Sequence, residues 1–252
     1  VIQAPAGHND RLSSCLRIGM KKINVLQFIC PSGFYGAEMW VLALSSHLDR
    51  SIVNCSLAVT LETGQQNLEL YNRFKRLGLN AYQLTMSGRF DFRAIFQLSA
   101  LIKEKKIDIL HTHGYKSDII GVIAARLAGI KIVSTPHGFE NVNDFKLQMF
   151  IRLGCFSLKF SDRVAPLSPD LMKDCLNLKI KSKNIKLIIN GVDLTEVEAE
   201  RSSETVTDFF DSKDKVIGYV GQLTFRKNID ALLSAFDLLY QEQKNIRLVL
   251  VG

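Results

Sequence analysis

The sequence predicts an α/β fold: one complete doubly wound, Rossmann-like domain over residues 20–192, then the opening strand–helix–strand of a second over residues 215–252. Three observations carry this. From Met20 onward, short apolar runs rich in β-branched residues alternate with segments of helical spacing, the pattern of βαβ units and of a parallel sheet covered on both faces. Glycine-bearing turns follow several runs, where such sheets bind ligands, beyond the carboxyl ends of the strands. A connector with much acidic character, residues 193–214, then precedes the passage VIGYVGQLTFRKNIDALLSAFDLLYQEQKNIRLVLVG, which reads strand, loop, helix, strand.

The expected strands are INVLQFI (23–29), VNCSLAVT (53–60), NAYQLT (80–85), IDILHTH (107–113), KIVSTPH (131–137), RVAPLS (163–168) and IKLII (185–189). Helical spacing covers residues 37–48, 67–77, 91–105, 117–127, 145–160 and 169–176. The first 19 residues have no apolar signal core and precede Met20-Lys21-Lys22, which reads as a natural start before a strand. They are expected to be a disordered leader or a start-site artefact. Beyond Lys213, roughly 40 residues are too few for an independent domain. A buried strand with no following helix also leaves apolar surface and backbone groups unpaired. The expectation is a fragment of a larger enzyme.

Composition narrows the function classes. Of 252 residues 47% are apolar, enough for one good core, and 32 Lys+Arg against 25 Asp+Glu give a net charge of +7. A mildly basic surface favours anionic partners such as nucleotide phosphates or phospholipid headgroups. No Lys/Arg stripe with interleaved aromatics marks a nucleic-acid surface. Five cysteines (15, 30, 55, 155 and 175) are odd in number and lack a Cys-x-x-Cys pair, against a disulfide framework or a zinc site and for a reducing, cytoplasmic compartment. The most apolar stretch, residues 119–133, is broken by Arg126 and Lys131, so no membrane span is expected.

After the first strand comes CPSGFYGAE, residues 30–38. Gly33 and Gly36 permit a tight turn with close backbone approach, and the helix that follows offers free N–H groups to an anion. The spacing is not Gly-x-Gly-x-x-Gly, and no acidic residue closes the second strand, Glu62 falling one step into a loop; both count against a nicotinamide dehydrogenase. Three of the five histidines stand at neighbouring strand ends, in HTHGYK (111–116) and STPHGF (134–139). His111, His113 and His137 could form a three-imidazole metal centre, but no carboxylate is placed to orient them. The other use is hydrogen bonding to an uncharged polar ligand such as a sugar, since neutral imidazoles both donate and accept. His111 is also readable as a satisfied buried side chain. In the second unit, GQLTFRK (221–227) puts Arg226 and Lys227 at a helix N-terminus, unfavourable for the helix dipole unless an anion lies between them.

The joint order of Gly-Ala-Glu38, His-Thr-His-Gly114, Thr-Pro-His-Gly138, Asn-Gly-Val-Asp193 and Val-Gly-Gln-Leu223 with Lys227 resembles the retaining GT-B glycosyltransferases of family 4, from about Met20 to Gly252. The resemblance implies two Rossmann-like domains facing across a cleft, the first holding the acceptor and the second most of a nucleotide-sugar donor. It implies that Gly36, with Gly33, approaches the donor diphosphate, that Gly221, Gln222, Arg226 and Lys227 serve the donor phosphates, and that His137 lies near the anomeric centre as the catalytic histidine. His113, Tyr115 and Lys116 would face the acceptor. It implies no metal and no cofactor, with basic side chains and helix N-termini stabilising the leaving diphosphate. The implied activity is hexose transfer with retention to a glycan or lipid-linked acceptor in envelope polysaccharide or lipopolysaccharide synthesis.

Three departures stand beside this. Tyr35 occupies the place of the usual first glycine, Gln222 that of a common arginine, and the glutamate pair that grips the donor would lie beyond Gly252. The chain alone is therefore expected not to turn over. The alternatives are a non-catalytic glycan- or acceptor-binding domain and a nucleotide-sugar epimerase of related fold. The basic charge and the segment FKLQMFIRLGCFSLKF (145–160) permit peripheral contact with an anionic membrane at its inner face.

Overall fold

The computed structural model describes residues 21–31, 33–62, 67–88, 91–139, 145–191, 210–211 and 213–252. The expected leader and nearly all of the expected connector lie outside them. The chain divides into two compact units between Val192 and Asp193.

In the first unit six parallel strands, β1 (Ile23–Ile29), β2 (Val53–Glu62), β3 (Asn80–Met86), β4 (Ile109–His113), β5 (Lys131–Thr135) and β6 (Arg163–Val164), form one sheet in the order β3-β2-β1-β4-β5-β6. The connecting helices are α1 (Gly36–His47), α2 (Glu69–Arg76), α3 (Arg93–Glu104), α4 (Tyr115–Ala128), α5 (Phe145–Ser157) and α6 (Pro169–Asn177). Strand order reverses between β1 and β4, the switch point at which open α/β sheets bind ligands.

Side chains alternate across a strand, and here that alternation sorts the core. Leu26 and Phe28 of β1, with Leu110 and Ile132, pack under α3 and α4 beside Leu98, Ile102 and Ala124. Ile29 faces the other way, with Leu57, Val59, Val41, Leu70 and Phe74 under α1 and α2. Gln27 belongs to this second face, and register places it opposite His111, as Ile29 is opposite His113. The one buried polar residue of β1 is thus aimed at the histidines.

Several expected bounds shift. Strand β2 runs on to Glu62, which closes the strand instead of opening a loop. Strand β4 begins at Ile109 because Asp108 is occupied at the edge, its carboxylate accepting from the Asn24 backbone N–H at 2.8 Å. Strand β5 stops at Thr135, before Pro136, which has no N–H to give. Strand β6 shrinks to two residues, although Ala165 still donates to the Ser134 carbonyl at 2.9 Å. The run 185–189, expected as a seventh strand, makes a single bridge, Ile185 to Val164, because Pro166 interrupts the ladder beside it. The expected helix 145–160 is α5 followed by a 3₁₀ turn, Leu158–Phe160.

The second unit pairs β7 (Lys215–Val220) in parallel with β8 (Ile246–Val251), joined by the 3₁₀ turn Phe225–Lys227 and helix α7 (Ile229–Glu242). Val220, Phe225 and Leu238 are well exposed, while Ile246 is buried. No helix among the described residues is long and apolar enough to cross a membrane.

Candidate functional site

The site is assembled at the carboxyl ends of β1, β4 and β5. Register aligns His111 with Val133 and His113 with Thr135, and the sheet's pleat turns both imidazoles toward α1. There the chain's one tryptophan, Trp40, meets them: its ring centroid lies 6.0 Å from that of His111 and 5.5 Å from those of His113 and His137, edge-on to His111 and His137. The His111 and His113 rings are 4.3 Å apart, and those of His113 and His137 5.5 Å.

Each imidazole is held by a defined partner. His111 Nε2 lies 2.8 Å from Thr135 Oγ1. His113 Nε2 lies 2.8 Å from Gln27 Oε1, and its Nδ1 3.3 Å from Nε2 of His137. Burial pushes His111 down to about 3 and His137 to about 4, and His113 falls well below the ordinary imidazole value for the same reason, with the other two rings adding to it. All three are neutral near pH 7, so that each ring has one donor and one acceptor nitrogen. Among the described residues no group of three or more His, Cys, Asp or Glu side chains is arranged to hold a metal ion. His113 spends both ring nitrogens on Gln27 and His137, so the three imidazoles do not converge on one point.

The turn carrying His137 is fixed from α4. Gly138, at φ +150°, takes a conformation that favours glycine, and its carbonyl accepts from the Tyr115 hydroxyl at 2.7 Å. Tyr115 is wedged in turn by α5, where a Cβ on Gly154 would stand 2.6 Å from Tyr115 Cβ. Lys116 pairs with the Glu62 carboxylate at the end of β2. On the opposite face Asp118 is buried, accepts from Thr112 Oγ1 at 2.6 Å, and is pushed up to about 7 by burial despite that bond.

His137 is half-buried at the strand edge, while His113, expected to face an acceptor, is only 2% exposed and stands behind it. Tyr115 and Lys116 are half-buried and committed to Gly138 and Glu62. Gly36 opens α1, is exposed, and has open space where a Cβ would stand. Gly33 is buried under the ring of Tyr35, which would come within 2.2 Å of a Cβ there, so the tyrosine lies over Gly33 rather than Gly36. The Tyr35 backbone N–H donates to Glu38 at 3.1 Å, closing the first turn of α1. In the second unit Gly221 has φ +154° and donates to the Val251 carbonyl, Gln222 and Lys227 are exposed, and Arg226 sits in the 3₁₀ turn with Lys227. Asn228, at φ +51°, separates that turn from α7, whose first turn carries Asp230.

Gln27 and Trp40 were not anticipated as site residues, nor was the pairing of Lys116 with Glu62. Gln27 had a sequence signal, the polar residue within the apolar half, LQFI, of the run INVLQFI. Trp40 had only its place one turn after Gly36.

The comparisons with known proteins agree with this architecture. Glycosyltransferase Family 4 matches residues 34–196, more than half of the chain, and Glycosyl transferases group 1 matches residues 200–252. The chain is 34% identical over 133 residues, 51% of its length and 33% of the relative's, to the UDP-Gal:alpha-D-GlcNAc-diphosphoundecaprenol alpha-1,3-galactosyltransferase of Escherichia coli. It is 23% identical over 216 residues, 82% of its length and 48% of the relative's, to the phosphatidylinositol N-acetylglucosaminyltransferase GPI3 subunit of Saccharomyces cerevisiae. It therefore spans about a third to a half of these curated relatives. Among solved structures, Anabaena Alr3699/HepE in complex with UDP and glucose superposes with a TM-score of 0.71 at 16% identity, over 91% of this chain and 61% of that one. The lipopolysaccharide outer core galactosyltransferase WaaB superposes with 0.61 at 15% identity, over 91% and 68%. A UDP-N-acetylglucosamine 2-epimerase from Listeria monocytogenes, described as putative, gives 0.62 at 12% identity over 91% and 62%, so the fold is common to both enzyme classes. The family match over most of a Rossmann-like sheet whose switch point carries the predicted glycine and histidine turns settles the question of kinship: the chain belongs to glycosyltransferase family 4, with the fold of the GT-B transferases.

Proposed function

We propose that the protein carrying this chain transfers a hexose from a nucleotide sugar, a uridine diphosphate sugar by likeness to its relatives, to a glycan or lipid-linked acceptor with retention, in envelope polysaccharide synthesis. The observation that carries this reading is the neutral His137 imidazole at the edge of β5, edge-on to Trp40, with the exposed Gly36 one turn away at the N-terminus of α1. An imidazole there can hydrogen-bond sugar hydroxyls, and the free N–H groups of α1 can face a diphosphate.

In the proposed step the bond from the anomeric carbon to the diphosphate oxygen breaks through an oxocarbenium-like state. The acceptor oxygen bonds to the same face of that carbon, and its proton passes to the leaving phosphate. Basic side chains and helix N-termini would stabilise the departing charge without a metal, the role the family resemblance gives to Lys227. The activity is tested by incubating the protein with labelled UDP-galactose, UDP-glucose or UDP-N-acetylglucosamine and a polyprenyl-diphosphate-linked N-acetylglucosamine acceptor. A lipid-soluble α-linked glycoside supports the reading. A free epimerised sugar would instead assign the epimerase alternative, whose fold is similar, and acceptor binding without turnover would assign a binding domain.

The same reading includes contact with an anionic membrane. Phe145, Met149, Leu153, Phe156 and Phe160 are all exposed along α5 and the following 3₁₀ turn, with Arg152 and Lys159 beside them, a spacing that forms an apolar stripe flanked by cations. Sedimentation with phosphatidylglycerol vesicles, lost when Phe145, Met149 and Phe156 are replaced by serine, tests this contact.

A further inference from the structure

We propose that Gln27, acting through His113, sets the tautomer of His137, so that His137 meets its ligand with Nδ1 as a hydrogen-bond acceptor. This deepens the role given to His137 above and rests on that reading for its functional consequence, though the tautomer itself does not.

The argument is a chain of donors and acceptors read outward from the core. Cys55 is buried and its thiol donates to Ser45 Oγ of α1 at 3.5 Å. Its sulfur is then left to accept, and Gln27 Nε2 lies 3.8 Å from it. That contact orients the Gln27 amide, which is 1% exposed, and turns Oε1 toward His113 Nε2 at 2.8 Å. An amide oxygen only accepts, so His113 carries its proton on Nε2. A neutral imidazole has one N–H, which leaves His113 Nδ1 as an acceptor. The group facing it at 3.3 Å is His137 Nε2, which must therefore donate. His137 is half-buried, and its remaining nitrogen, Nδ1, holds a lone pair.

Burial keeps all three rings neutral, without which the one-proton count fails. No ionised group enters the chain at its core end, since Ser45, Cys55 and Gln27 are all neutral. Pairing is also geometrically fixed: Gln27 and His113 stand on the adjacent paired strands β1 and β4, and His137 lies two residues past the end of β5. Gln27 is a positioning residue in this scheme. It does not reach the reacting atoms, but it decides whether a substrate hydroxyl is met by a lone pair or by an N–H.

The test is nitrogen NMR of the 252-residue chain labelled at histidine, without substrate, the His137 ring being identified by its absence in His137→Asn. The expected result is a proton on Nε2 and a bare, pyridine-like Nδ1. A proton on Nδ1, or an even mixture, overturns the inference whether or not the protein is a transferase. Gln27→Met keeps the length and loses the acceptor, and is expected to convert the His137 signal to a tautomer mixture. In the protein carrying this chain it should also lower kcat roughly tenfold, the equivalent of about one hydrogen bond, with little change in KM for donor. An unchanged tautomer in Gln27→Met also overturns it. Cys55→Ser retains both a donor and an acceptor and is expected to keep the wild-type tautomer. Equal loss in Cys55→Ser and Gln27→Met marks a packing effect and sinks the proposal. Should Gln27→Met fail to fold, the wild-type spectrum decides alone. A correct tautomer in a protein without transferase activity would uphold the relay and retire the functional reading.

Discussion

The hydroxyl of Tyr115 donates to the carbonyl of Gly138 at 2.7 Å, so the first residue of α4 holds the turn that presents His137. The bond joins two strand ends, β4 and β5, that the sheet alone would only place side by side. Tyr115→Phe removes it and keeps the ring. The expected cost is about 1 kcal/mol of stability by urea unfolding, as for one typical hydrogen bond, with transfer lowered roughly tenfold as the His137 turn loosens. Unchanged transfer would show that the turn is fixed from elsewhere.

The wedge behind Tyr115 is equally open to test. In Gly154→Ala the new methyl would stand 2.6 Å from Tyr115 Cβ and 2.9 Å from its Cα, and a backbone atom cannot swing aside. Overpacking of this kind costs roughly 1–3 kcal/mol, to be read from the unfolding midpoint. The same substitution at Gly36, where no atom lies within 4 Å, is expected to leave stability nearly unchanged and to weaken donor binding.

His137→Ala, in the protein carrying this chain, is expected to reduce transfer by orders of magnitude while circular dichroism and melting stay close to wild type. The residue is half-buried at an edge, outside the main core clusters. Near-normal turnover would remove it from the mechanism.

Lys227→Ala is expected to weaken nucleotide diphosphate binding more than acceptor binding, because an exposed lysine loses a charge-assisted contact and little packing. Titration calorimetry with UDP reads this directly; equal affinities in wild type and variant would place the phosphates elsewhere.

The imidazoles and Asp118 impose opposite pH dependences. Histidines with depressed folded values contribute stability that is present above the unfolded value of 6.5 and lost as pH falls through about 4 for His137 and about 3 for His111. Asp118, raised from 3.8 to about 7, contributes stability present below 3.8 and lost as pH rises through 7. Three rings outweigh one carboxyl between pH 6.5 and 4, so the unfolding free energy should fall as acid is added across that window. Replacing Asp118 by asparagine should steepen the fall by deleting the opposing contribution. A flat profile would mean the rings are solvated.

Legibility differed between fold and site for a physical reason. The βαβ order could be read because strand and helix periods are local, and α6 shows it well: Ser168 caps Leu171 at 3.2 Å with Pro169 at the first helical position. The run 185–189 looked equally strand-like, but its pairing depended on Pro166 in a neighbour twenty residues away. Among site residues, the glycine and histidine turns could be found at strand ends. The burial of His113 and the engagement of Lys116 by Glu62 could not, since each depends on which strand lies beside which.

Sequence by itself determined the class of fold, the turns that carry chemistry and the kinship they imply, because hydrophobic period and turn residues act over a few positions. Only the tertiary structure decided that Gln27, Trp40 and three histidines form one contiguous group. Strand order β1-β4-β5 brings residues from three separate segments within hydrogen-bonding reach and sets them against Trp40, and the burial created by that packing keeps the imidazoles neutral.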